Sequence, residues 1–104
     1  MAAAGPLAGL RVIDLTHDLG RFATKLLAEF GAEVCRPTGW GSGGRDLPGR
    51  AGELGGHLDW WYDAAKSAVD LDLETEEGQA SYRRLAAGAD LIVEALPVGY
   101  LTDR

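Results

Sequence analysis

Apolar residues recur along this chain with two different periods, and the switches between them mark out its elements. "LRVIDL" (Leu10 to Leu15), opened by Gly9, is a short leucine-rich and β-branched run of the kind that forms a strand covered on both faces. From Arg21 to Phe30 the spacing becomes helical. It places Phe22, Leu26, Leu27 and Phe30 on one stripe, with Gly31 set to end the helix in a left-handed conformation. A second strand is expected from Ala32 to Arg36, stopped by Pro37. Farther on, "KSAVDLDLETEEG" (Lys66 to Gly78) alternates apolar and acidic positions and then changes period abruptly. It predicts a third strand from Ser67 to Leu71 and a helix capped by Thr75, with Glu76 and Glu77 against the positive end of the helix dipole. That helix turns Tyr82, Leu85 and Ala86 inward and ends at Gly88, and "DLIVEAL" (Asp90 to Leu96) is a fourth strand closed by Pro97.

Strand, helix, strand, loop, strand, helix, strand is the order of a parallel sheet with right-handed crossovers, so an α/β, doubly wound fold is expected. The segment from Pro37 to Gly56 is a long loop holding more than half of the chain's 15 glycines. Ordering so many glycines is entropically costly, and a flexible loop is the expectation. Trp60, Trp61 and Tyr62 form an aromatic knot after it, which could stack a base or an acyl group but is expected to be a lid over the core edge.

Length and charge narrow the functional classes. A chain of 104 residues makes a single domain with one core. Ten basic against 16 acidic residues, a net charge of −6, argue against a general grip on nucleic acid or on an anionic membrane. Cys35 has no partner for an internal disulfide, and its apolar surroundings suggest a buried thiol in a reducing compartment. The N-terminal segment lacks a basic leader and is interrupted by Arg11 and Asp14, so neither a signal peptide nor a membrane span is expected, and the cytoplasm is the expected location.

In doubly wound sheets ligands sit beyond the carboxyl ends of the strands, here Thr16 to Arg21, Arg36 to Gly41, Leu71 to Glu74 and Ala95 to Gly99. "GWGSGG" has the glycine spacing of a dinucleotide fingerprint but leads to "RDLPG", which cannot start a helix promptly, so the match is rejected. The turn "THDLGR" is more informative. Gly20 and Arg21 stand where the N–H groups of a helix start could face a phosphate, with an exposed guanidinium beside them. His17 shares that edge, as an acid, a base or a hydrogen-bond donor. The acidic run from Asp70 to Glu77 reads as a solvated helix start, and no metal site is expected. There is no nucleophile elbow, cysteine pair or Walker-type loop.

The succession "PLAGLRVIDLTH", "LLAEFGAEV" and "KSAVDLDLETEEGQASYRRLAAGADLIVEAL" resembles the N-terminal part of the family III CoA-transferases, the group of formyl-CoA transferase, carnitine CoA-transferase and α-methylacyl-CoA racemase. The resemblance implies a Rossmann-like domain that binds coenzyme A or acyl-CoA as substrate, within a longer chain whose two protomers interlock. In that family an aspartate accepts the acyl group, and it lies beyond this sequence, so no catalytic residue is assigned here and the isolated chain is expected to be inactive. The positions at the strand ends that the resemblance implies for CoA binding are His17, Asp18, Leu19, Gly20, Arg21, Thr38, Gly39, Leu71, Asp72, Leu73, Glu74, Ala95 and Leu96. Several of them depart from the family pattern. "DLGRF" replaces a small-residue "A-G-P" turn, Ala95 replaces an asparagine, and Glu74 stands where a lysine is common, turning attraction for phosphate into repulsion. Two roles follow from the resemblance. The chain is the CoA-binding portion of a transferase acting on an acyl-CoA and a small carboxylic acid, as a homodimer or beside a partner half. Alternatively, it is a degenerate, non-catalytic domain serving as a scaffold.

Overall fold

Val12 and Ile13 are chain neighbours that point to opposite faces of a strand, yet both are sealed from solvent. A strand buried on both faces must lie inside a layered sheet, and the computed structural model, which describes residues 5–17, 19–38, 61–62 and 64–102, has that arrangement. Its elements are β1 (Arg11–Leu15), α1 (Arg21–Glu29), β2 (Glu33–Thr38), β3 (Ser67–Asp70), α2 (Glu76–Ala87) and β4 (Leu91–Glu94). All strand pairs are parallel and the strand order is β3-β2-β1-β4. The chain moves outward from β1 to β3, then returns through α2 to place β4 on the other side of β1. The order therefore reverses between β1 and β4, the switch point where such sheets open a crevice at their carboxyl edge.

Each face has its own apolar cluster. On the α1 face Val12, Val34, Ala28 and Ala32 are buried, with Leu7, Leu10, Leu27 and Val93 against them. On the α2 face Ile13, Leu15, Leu71, Leu73 and Tyr82 are buried, with Leu85, Ala86 and Leu96 packed alongside. Tyr82, Leu85 and Ala86 thus turn inward as the helical spacing predicts. Thr75 caps α2 by accepting the Gly78 N–H at 2.9 Å, and Glu76 and Glu77 occupy its first turn. Gly31, at φ 108°, closes α1 with hydrogen bonds from Gly31 N to Ala28 O and from Ala32 N to Leu27 O.

Two expectations need correction. The stripe of Phe22, Leu26, Leu27 and Phe30 is the inward face of α1 only in part: Leu27 packs on the α1-face cluster, but Phe22 and Phe30 are 52% and 51% exposed, while Arg21, Thr24 and Ala28 are buried. The sheet beneath the first turn of α1 presents a charged cluster, and short polar side chains meet it better than rings do. Pro37 does not stop β2 either, which runs on to Thr38. The pairing of β2 with β1 ends at Cys35, while its pairing with β3 begins there and continues to Thr38. From Arg36 onward β2 bonds on one side only, a position in which a residue without an N–H is tolerated. The strand ends also shift, β3 closing at Asp70 and β4 spanning Leu91–Glu94. Of the glycine-rich loop, positions 39–56 lie outside the described residues, as do "GWGSGG" and Trp60.

Candidate functional site at the carboxyl edge

The carboxyl end of β1 carries a buried charge. Asp14 is fully sealed from solvent on the α1 face of the sheet, where its carboxylate Oδ1 accepts the Thr16 backbone N–H at 3.0 Å and the Thr16 hydroxyl at 2.6 Å. Arg36 Nη1 from β2 lies 3.2 Å from the same oxygen, and Lys66 Nζ, just before β3, lies 2.8 Å from Oδ2. Burial alone would raise the Asp14 carboxyl. The Arg36 charge, the hydrogen bonds from Lys66 and Thr16 and the Lys66 charge together outweigh it and hold the group below the usual carboxylate range. Lys66 also donates to Thr24 Oγ1 at 2.9 Å, which ties the cluster to the first turn of α1.

From this anchored point the chain enters the β1–α1 turn. His17 Nε2 donates to the carbonyl of Ala95 at 2.9 Å, and Nδ1 faces the Leu19 N–H at 3.4 Å. The tautomer with its proton on Nε2 satisfies both contacts. His17 is thereby a strap across the switch point, joining the exit of β1 to the exit of β4, and two of the residues picked from sequence meet there. Gly20 is the N-cap of α1 at φ 94°, with Thr16 Cγ2 only 3.0 Å from where a Cβ would stand, so this turn requires glycine. Leu19 is 71% exposed.

Arg21 departs from expectation. Instead of an exposed guanidinium facing a ligand, the residue is 3% exposed and lies over the Tyr62 ring at 4.6 Å. Trp61, stacked on Phe22 with ring centroids 6.3 Å apart, takes the same kind of contact from Lys25 at 4.3 Å. The described part of the aromatic knot therefore packs beside α1 and supplies ring faces to two of its cations.

On the far side of β2, Thr38 is in register with Asp70. Leu71 and Leu73 send their side chains into the α2-face core, so any ligand contact from these two positions falls to their backbone. Asp72 is engaged locally: Oδ1 accepts the Glu74 N–H at 2.9 Å, and its carbonyl accepts the Thr75 hydroxyl at 3.1 Å. Glu74 is exposed, and its Oε2 accepts the Tyr100 hydroxyl at 2.6 Å, which joins the segment after β3 to the segment after β4. Leu96 packs on the α2-face cluster and its N–H donates to Glu94 Oε1. Beside this edge Asp70, Asp72, Thr75, Glu77, Gly78 and Ser81 line an open concavity of about 420 Å³. Asp18 and Gly39 lie outside the described residues. Among the described residues no three histidine, cysteine or acidic side chains are grouped to hold a metal ion.

The cluster in which Asp14 pairs with Arg36 and Lys66, with Thr16 and Thr24 beside it, is not among the site residues that the sequence predicts. One signal was available: Asp14 stands among the apolar residues Val12, Ile13 and Leu15, and a buried charge needs partners.

The profile of CoA-transferase family III matches residues 7–104. Succinyl-CoA:(R)-benzylsuccinate CoA-transferase subunit BbsE of Thauera aromatica is 38% identical over 99 residues, covering 88% of this chain and 23% of its own length. Succinyl-CoA–D-citramalate CoA-transferase of Chloroflexus aurantiacus is 40% identical over 103 residues, covering 94% and 25%. The crystal structure of a hypothetical protein from Mycobacterium tuberculosis superimposes with a TM-score of 0.72 at 30% identity, covering 96% of this chain and 28% of that one. The chain thus spans about a quarter of the length of these relatives.

Proposed function

The chain belongs to family III of the CoA-transferases, and on that premise we propose that it forms the N-terminal CoA-binding portion of a transferase. CoA moves between an acyl-CoA donor and a carboxylic acid acceptor, and the aspartate that takes up the acyl group is supplied by polypeptide outside these 104 residues. The observation that carries the reading is the reversal of strand order between β1 and β4, where such sheets bind ligands, with the N-terminus of α1 beside it at the glycine-capped turn. There the positive end of α1 favours a phosphate-bearing ligand. His17, Leu19, Gly20 and the exits of β3 and β4 are the positions that border it, Arg21 contributing its place in the first turn and not an exposed guanidinium. Asp14 is not the acyl acceptor, since a carboxylate sealed from solvent and ion-paired on both oxygens is no nucleophile. Function as a homodimer, or beside a partner half, belongs to the same reading.

One observation favours the second reading, a domain that keeps the fold and has lost CoA binding. The Arg21 cation is withdrawn into the interior, while at the exit of β3 Asp70, Asp72 and Glu77 line a concavity and Glu74 is exposed, a surface unfavourable to phosphate. Titration calorimetry with CoA separates the two. Heat of binding that shrinks at high salt supports the CoA-binding portion. No heat at millimolar CoA favours the scaffold. In either case the purified chain transfers no acyl group, and transfer abolished by changing one of its own aspartates refutes the proposal.

A further inference from the structure

The carboxylate of Asp14 touches no solvent, yet it gathers groups from three elements around the β1–α1 turn. Thr16, on the turn, donates to it twice; Arg36 reaches it from β2 and Lys66 from the entry to β3. Lys66 passes the grip on to α1 through the Thr24 hydroxyl, which in turn donates to the carbonyl of Arg21 at 3.0 Å. One residue beyond Thr16, His17 makes the strap to Ala95. A single buried carboxylate therefore joins both ends of the β1–α1 turn, its entry at Thr16 and its exit at the first turn of α1.

The geometry points to Asp14 as a positioning residue: through Thr16 on one side and through Lys66 and Thr24 on the other, it fixes the β1–α1 turn in the shape that faces the crevice, and so sets the affinity for CoA without touching CoA. This inference rests on the CoA-binding reading above. Short hydrogen bonds to a charged acceptor are the stronger kind, and loops preorganised by them bind without having to be ordered by the ligand. A role confined to stability would lower the melting temperature and leave the affinity of the folded protein alone.

The test is CoA affinity by calorimetry at a temperature where circular dichroism shows every variant folded. Thr16→Val removes the hydroxyl that donates to Asp14 and is expected to weaken CoA binding by roughly tenfold or more, the scale of one hydrogen bond to a charged group. Thr16→Ser keeps the hydroxyl and restores the parent affinity. Asp14→Asn with Lys66→Met removes one charge of each sign and is expected to weaken binding as Thr16→Val does; if it does not fold, the two Thr16 variants decide. Leu85→Ala, on the opposite face, matches the loss of stability and binds CoA as the parent does. Parent-like affinity in folded Thr16→Val, or an equal loss in Leu85→Ala, overturns the inference and leaves the function standing. Absence of CoA binding by the unsubstituted chain overturns both.

Discussion

Lys66 Nζ lies 2.8 Å from Asp14 Oδ2, with the side chains of both residues all but closed to solvent. A pair of this kind is weak support for overall stability, because desolvating two charges offsets much of their attraction, but removing either partner alone leaves a buried charge and is strongly destabilising. Its value here is geometric: it holds the start of β3, the end of β1 and the first turn of α1 in one arrangement.

Acid stability should report this cluster. The Asp14 carboxyl is depressed in the folded state, so its contribution is fully present above the unfolded value of about 3.9 and is lost as pH falls through the lower folded value. Urea midpoints taken downward from about pH 5 are expected to fall, and to fall less steeply in the doubly substituted Asp14→Asn, Lys66→Met protein. Identical slopes in the two proteins would show that Asp14 does not contribute.

Arg21→Ala should destabilise the fold. The residue is buried and stacks on Tyr62, so the substitution removes packing as well as a cation–π contact, a loss of about 1–3 kcal/mol. Thermal melting checks it, and an unchanged transition would return Arg21 to the exposed role expected from sequence.

Gly78→Ala tests why the "T-E-E-G" start of α2 ends in glycine. A Cβ there would stand 1.8 Å from the carbonyl oxygen of Asp72, a backbone atom that cannot swing aside. Either α2 or the β3–α2 turn must shift, at about 1–3 kcal/mol or more. A urea midpoint equal to that of the parent would mean the turn relaxes freely.

Cys35 should be a slow nucleophile. Burial, with the Glu33 charge as a lesser cause, pushes its thiol above the ordinary cysteine value and keeps it protonated at neutral pH. Alkylation by iodoacetamide is expected to be slower in the folded chain than in urea, and equal rates would contradict it.

The elements of this protein were legible in its sequence because each depends on neighbours a few residues away. The two-residue period of Ser67 to Asp70, the Thr75 cap and the Gly31 stop act within a turn or a strand of themselves, and the alternation of strands and helices then leaves few topologies besides a parallel doubly wound sheet. The order of motifs also carried the family resemblance that the comparisons establish. Which side of α1 turns inward was not legible. Phe22 and Phe30 lie on the more apolar stripe, but Thr24 and Arg21 face the sheet, because the sheet beneath them is polar at that point. Likewise Pro37 reads as a strand end until β2 is seen to have lost its β1 neighbour beyond Cys35. The partners of Asp14 and the strap from His17 to Ala95 come from strands far apart in the chain. Local periodicity carries no information about such pairings. They exist only once the strand order is set, because a buried charge is satisfied by whichever groups the fold brings within reach.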